Sequence, residues 1–285
     1  MNRKEVQFAV AGDTCAAWLY EPAAPPGGRP IVVMAHGLSG TRRDRLGAFA
    51  ERFAAHGLFA LVFDHRGFGD SGGEPDVFEP ARQLEDWRAA IGHAREIVGV
   101  DPDRVVTFGS SMGGGNALAA AAADRRVAAA ISQVPFLDLV RQAYRSSARV
   151  RARMVMAATR GEFLPAVGQP DEAAFINAPR AEAGWRHVVA IGEDSRWRDR
   201  VSSRWLLGRP FNPGRFAKDL HCPWLVCVGE ADQVARPGPA IEAAKRAPRG
   251  ELRLYPGVDH FDIYDGPEHE AVVADQLEFL ERHLL

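Results

Sequence analysis

Four short apolar runs, at residues 31–35, 59–63, 105–108 and 127–134, leave this chain few folds to choose from. Each reads as a buried strand, and a helical pattern separates each run from the next. Leu46, Phe49, Ala50 and Phe53 share one helix face, and Gly57 suits its end. Leu84, Trp87, Ile91 and Ala94 form a second apolar stripe, and residues 116–123 form an alanine-rich helix. Strands alternating with helices imply a mostly parallel sheet flanked by helices and joined by right-handed crossovers.

The alternation has a preface and an interruption. EVQFAV and TCAAWLY flank Ala11-Gly12-Asp13 as an opening hairpin. After residue 135 the rhythm stops, and it resumes with a strand at 224–228, a helix around 241–246, a strand at 251–255 and a last amphipathic helix. Residues 1–135 and 221–285 therefore read as one α/β core, with 136–220 inserted between its halves. The insertion holds three of the six tryptophans, Trp185, Trp197 and Trp205.

The net charge of −2 speaks against a nucleic-acid partner. Cys15, Cys222 and Cys227 are too few and too scattered for a disulfide framework, and no pair has zinc-finger spacing. The basic start lacks the apolar stretch of a signal peptide, and no apolar run is long enough to span a membrane. A cytoplasmic location is expected, with no membrane partner. A homo-oligomer stays open.

The third run leads straight into Gly109-Ser110-Ser111-Met112-Gly113. A serine between two glycines, after a strand and before a helix, is a way to make an alcohol react. The turn must be sharp to lift the Ser111 hydroxyl above the sheet, and side chains at 109 and 113 would obstruct it. The alternative is a plain glycine turn. Reactivity needs a base, an acid to orient it and donors for the developing oxyanion.

Of nine histidines, His260 follows the last strand, at the sheet edge where chemistry gathers in parallel sheets. His36 lies at the same edge, after an early strand. His56, His93, His269 and His283 fall on or beside helices and are expected to be solvated. Asp232 follows the strand at 224–228, with room for one helix and one strand before His260. Glu230 and Asp138 are alternative acids, and Asp259 reads as a solvated loop charge. The oxyanion donors expected are the backbone N–H groups of Met112, at a helix start, and Leu38, in the loop His36-Gly37-Leu38-Ser39-Gly40.

With HGLSG, GSSMGG, GEAD and DHFD in this order, the core resembles the α/β-hydrolase superfamily. The stretch from Ala35 to Pro75, with YPGVDHFDIY, is similar to bacterial serine hydrolases related to dienelactone hydrolases, dipeptidyl-peptidase-like esterases and polyketide-tailoring hydrolases. The order Ser111, Asp232, His260 agrees. In that group Asp64, Arg66, Gly67, Gly69 and Ser71 form a structural loop. The GSSMGGG sequence is itself closer to lipases, haloperoxidases and C–C hydrolases.

The resemblance implies a serine hydrolase with no cofactor and no metal, acting on a small ester-like molecule. C–C bond hydrolysis or perhydrolysis would use the same triad, and a receptor-like binder without turnover is a further alternative. It also implies that the insertion caps the serine. Phe136, Phe163 and Trp185 are then candidates for a substrate lining, or for the cap's own small core. Arg141, Arg145, Arg149, Arg151, Arg153 and Arg160 read as a solvated face, or as an attraction for an anionic substrate or acidic partner.

Overall fold

β1 (Asn2–Val10) and β2 (Asp13–Glu21) form the opening hairpin, and the chain turns between them at Ala11 and Gly12, both at positive φ. Two consecutive positive φ angles match the right-handed twist of the flanking strands. The computed structural model describes residues 2–23, 27–139, 141 and 146–285.

The core then alternates as the apolar runs require. It proceeds through β3 (Arg29–Ala35), α1 (Leu46–Ala55), β4 (Phe59–Phe63), α2 (Pro80–Arg95), β5 (Val100–Ser110), α3 (Met112–Ala123) and β6 (Val127–Gln133). After the insertion come β9 (Trp224–Gly229), α6 (Pro237–Arg246), β10 (Gly250–Tyr255) and α7 (Gly266–Leu284). The eight strands lie in the order β1-β2-β4-β3-β5-β6-β9-β10, antiparallel from β1 to β4 and parallel from β4 onward. β5 is central, so the turn after it emerges mid-sheet.

Both sheet faces are buried, which is why β3 and β4 read as continuous apolar runs rather than alternating ones. One face packs Trp87, Ile91, Leu118 and Trp224, and the other packs Phe49, Phe53, Phe108 and Phe279. The small side chains of α3 let it lie close against β5 and β6. Trp224 reconciles its burial by donating Nε1–H to Ser132 Oγ at 2.9 Å.

The insertion carries α4 (Ala148–Arg160), the short strands β7 (Phe163–Leu164) and β8 (Val201–Ser202), and α5 (Ala181–Ala190). β7 and β8 pair antiparallel. Its last turn, Pro213–Asp219, packs on α3 and α6, and Ala217 sits in the main core. A third apolar cluster ties the insertion to the core, joining Leu38, Phe78 and Met112 to Ala166, Trp205 and Phe211.

The loop after β4 is a mesh of buried charge. Asp64 Oδ1 accepts the Arg42 backbone N–H at 2.6 Å, and its Oδ2 pairs with the Arg42 guanidinium. The Ser71 hydroxyl donates to Asp64 O at 2.7 Å and accepts Ala16 N–H at 2.9 Å, which welds the loop to β2. Arg66 pairs with Asp86 and Glu85 on α2.

Among the arginines of 141–160, Arg141 meets Glu242 at 2.8 Å. Arg149, Arg153 and Arg160 are exposed on α4, and Arg145 lies outside the described residues. His269 departs from expectation. It is buried, donating Nδ1–H to Ile263 O at 3.2 Å and meeting Phe49 edge-on at 4.5 Å, because α7 turns this position toward α1. Among the described residues, no helix is long and apolar enough to cross a membrane.

Candidate active site

Ser111 sits between β5 and α3 at φ 57 and ψ −123, a backbone state that a non-glycine residue adopts only under constraint. The constraint is visible. Ser111 N–H donates to Gln133 O at 2.9 Å, while Ser111 O accepts from Gly114 N–H at 3.0 Å and Phe136 N–H at 2.9 Å. A Cβ at 109 would overlap the Gly113 carbonyl, and one at 113 would stand 2.7 Å from Ala35 O. Both glycines are therefore required by close backbone approach.

The loop after β3 comes up against this turn. A Cβ on Gly37 would lie 2.6 Å from Met112 N and 2.9 Å from Ser110 O. Leu38, the next residue, also has positive φ, at 30. Two strained residues thus face one another across the start of α3. His36 is buried and donates Nε2–H to Asp44 O at 2.5 Å. Burial lowers its pKa, against the pull of Asp44, so the ring is a neutral wall rather than a charge.

Asp232 and His260 come from different loops at the same sheet edge. His260 Nδ1 and Asp232 Oδ2 are 2.7 Å apart, and both side chains are 1% exposed. Asp232 Oδ1 accepts the N–H groups of Val234 and Ala235, each at 2.7 Å. Of the alternative acids, Glu230 is exposed and Asp138 instead accepts Arg141 N–H at 3.0 Å. Asp259 is more than a solvated charge. It accepts N–H from His260 at 2.8 Å and from Gln233 at 3.0 Å, so it staples the two loops together.

Ser111 and His260 line one cavity of about 20 Å³, together with Leu38, His36, Trp185 and Tyr264. The volume holds little more than one water. Trp185 stands edge-on to His36 at 5.7 Å. Phe136 and Phe163 are not in this wall. The Phe136 ring stacks on Phe211 at 6.4 Å, within the third apolar cluster. Phe163 pairs with Ser202 across β7 and β8, and the Arg200 guanidinium covers its ring at 4.0 Å. Met112 is buried at the first position of α3.

Sequence reading missed Tyr264. Its hydroxyl shares a 2.5 Å hydrogen bond with Ser110 Oγ, its ring stacks on His36 at 5.7 Å, and burial raises its phenol pKa. Gln133 Nε2–H donates to the same Ser110 oxygen at 3.4 Å, and Gln276 Nε2–H donates to Gln133 Oε1 at 2.9 Å. A buried polar chain thus runs from α7 to the residue before Ser111. Proximity to DHFD was the available signal, but the partner lies in a distant segment.

This sheet order, with a strained serine turn after its central strand, defines an α/β-hydrolase fold. The family model described as serine aminopeptidase, S33 matches residues 27–265, and the chain belongs to that hydrolase family. It is 39% identical to the quorum-quenching protein AidA of Acinetobacter baumannii, over 98% of this chain and 94% of that protein. It is 28% identical to the polyketide transferase af380 of Aspergillus fumigatus, over 100% of this chain and 99% of the relative. The crystal structure of the α/β hydrolase GrgF from Penicillium sp. sh18 superposes with a TM-score of 0.84 at 24% identity, covering 100% of this chain and 99% of that one.

Proposed function

We propose that the protein cleaves small, largely apolar carboxylic esters, thioesters or lactones through an acyl-enzyme on Ser111. The observation that carries this reading is the buried Asp232–His260 pair opening into the same cavity as the strained Ser111. His260 accepts the Ser111 proton as the hydroxyl attacks the carbonyl carbon, and then returns it to the leaving group. Asp232 holds the Nδ1–H tautomer and stabilises the imidazolium. The oxyanion rests on the N–H groups of Leu38 and Met112. Water, activated by the same imidazole, releases the acid.

Residues 136–220 act as a cap. Trp185 and its apolar neighbours Ala166, Val167, Ile176 and Phe261 give the acyl group a dry wall. The relative named polyketide transferase supports an acyl group as the cargo.

A fluorophosphonate probe tests the nucleophile. The native protein is expected to label and Ser111→Ala is not, and a panel of aryl esters and acyl thioesters is expected to turn over. Absence of labelling in folded native protein would overturn the reading. Labelling without any turnover would favour a receptor-like binder.

A further inference from the structure

The cavity at Ser111, about 20 Å³, is far below the volume of ordinary small-molecule sites. Beside it lies a polar cleft of about 280 Å³, whose walls include Ser39, Thr41, Asp76, Arg196, Trp197 and Arg198. Ser39 belongs to both spaces. Trp197 stands between them. Its indole N–H donates to Ser39 Oγ at 2.9 Å, and its ring meets Trp185 edge-on at 5.9 Å. Trp185 lines the Ser111 cavity, and Trp197 lines the cleft.

Trp197 rides on residues 191–200, a strap with no regular secondary structure. Arg196 pairs with Asp70 and Arg198 with Asp76, each at 2.9 Å, and both arginines are largely exposed. The strap backbone is anchored, with Glu193 N–H donating to Arg43 O at 2.8 Å and Ser195 Oγ to Asp44 Oδ1 at 2.5 Å. The part that can swing is the Trp197 side chain, held by its hydrogen bond to Ser39 and its edge-on ring contact. Joined, the two spaces reach roughly 300 Å³, the lower bound of ordinary small-molecule sites.

The cleft has its own chemistry. A guanidinium carries five N–H donors, and a single ion pair leaves several unused. Arg196 and Arg198 therefore present spare donors, while the Asp76 carboxylate is taken by Arg198 and Arg200. Such a wall suits acceptor groups such as carbonyl, hydroxyl or carboxylate oxygens.

Resting on the acyl-enzyme reading, we propose that Trp197 gates a two-part substrate site. The scissile carbonyl sits at Ser111, and an oxygen-rich arm of the same substrate passes the indole into the Arg196–Arg198 cleft. The substrate class is then an ester, thioester or lactone with an apolar segment and a hydrogen-bond-accepting arm. Trp197 and Arg196 are specificity-determining residues of that site.

The test uses two matched ester pairs with para-nitrophenyl acetate as the short reference. One pair is the para-nitrophenyl esters of hexanoic acid and adipic acid. The other is the butyrate esters of hexanol and omega-hydroxyhexanoic acid. Labelling of Ser111 by a small fluorophosphonate is measured first. The native enzyme is expected to prefer the carboxylate-bearing member of at least one pair. Arg196→Gln is expected to erode that preference about tenfold. Trp197→Ala is expected to raise kcat/KM for the long esters about tenfold relative to the acetate. Should Trp197→Ala fail to fold, Trp197→Phe, which loses the bond to Ser39, carries the test with Arg196→Gln. Labelling with kcat/KM ratios that neither substitution moves would overturn the gate alone. A folded native protein that does not label would overturn the acyl-enzyme reading instead.

Discussion

Asp232 and His260 meet through Oδ2 and Nδ1 at 2.7 Å, and the other carboxylate oxygen is occupied by two backbone N–H donors. The carboxylate cannot turn away without stranding those donors. Asp232→Asn keeps an oxygen for Val234 and Ala235 but aims an amide N–H at the ring nitrogen. The expected result is a fall in kcat of about 10⁴ with an unchanged circular dichroism spectrum. A loss smaller than about tenfold would remove Asp232 from the proposed triad.

Gly37 offers a separate test of the oxyanion site. Its φ is not positive, so alanine there is opposed by contact alone, with Met112 N at 2.6 Å and Ser110 O at 2.9 Å. Gly37→Ala must push the Leu38 loop away from the α3 start. Steady-state kinetics should show kcat lowered by about 10²–10³, as for loss of one oxyanion donor.

Tyr264→Phe keeps the ring against His36 and deletes only the hydroxyl bonded to Ser110. Ser110 Oγ is left with the longer contact from Gln133. Urea unfolding should show a loss of about 1–2 kcal/mol. Unaltered stability would mean that the hydroxyl pair contributes nothing net.

The buried ion pair of the β4 loop gives a larger effect. Arg42 is 2% exposed and Asp64 1%, so Arg42→Met leaves a carboxylate buried without its cation. The expected cost is about 3–5 kcal/mol, read from the urea midpoint. A double substitution that also replaces Asp64 by Asn should recover part of it.

Acid sensitivity follows from His269. Burial lowers its pKa from 6.5, outweighing Ile263 O and Glu270, which pull the other way. The unfolded imidazole therefore takes up a proton near pH 6.5 while the folded one stays neutral to lower pH. Its contribution to stability is full above that value and declines as pH falls. His36 is shifted in the same direction. His269→Gln keeps a donor for Ile263 O but does not titrate. Its loss of urea stability between about pH 7.5 and pH 5.5 should be smaller than that of the native protein.

Periodicity and glycine placement sufficed for the strand–helix alternation and the Ser111 turn. These are short-range properties, because a buried strand or a strained turn is written in adjacent residues. The same patterning left three carboxylates as acids for His260. The folded chain separates them by burial and distance, since Glu230 faces solvent and Asp138 caps its own loop. Phe136 and Phe163 were plausible lining residues by position, and packing sends their rings to Phe211 and Arg200 instead.

His269 looked solvated because helix membership does not say which face meets α1. The bond from Tyr264 to Ser110, the Trp197 contact with Ser39 and the size of the cavity at Ser111 join residues far apart in the chain. No local pattern encodes such contacts. They exist only once the sheet has brought its loops to a common edge and close packing has decided how much space remains between them.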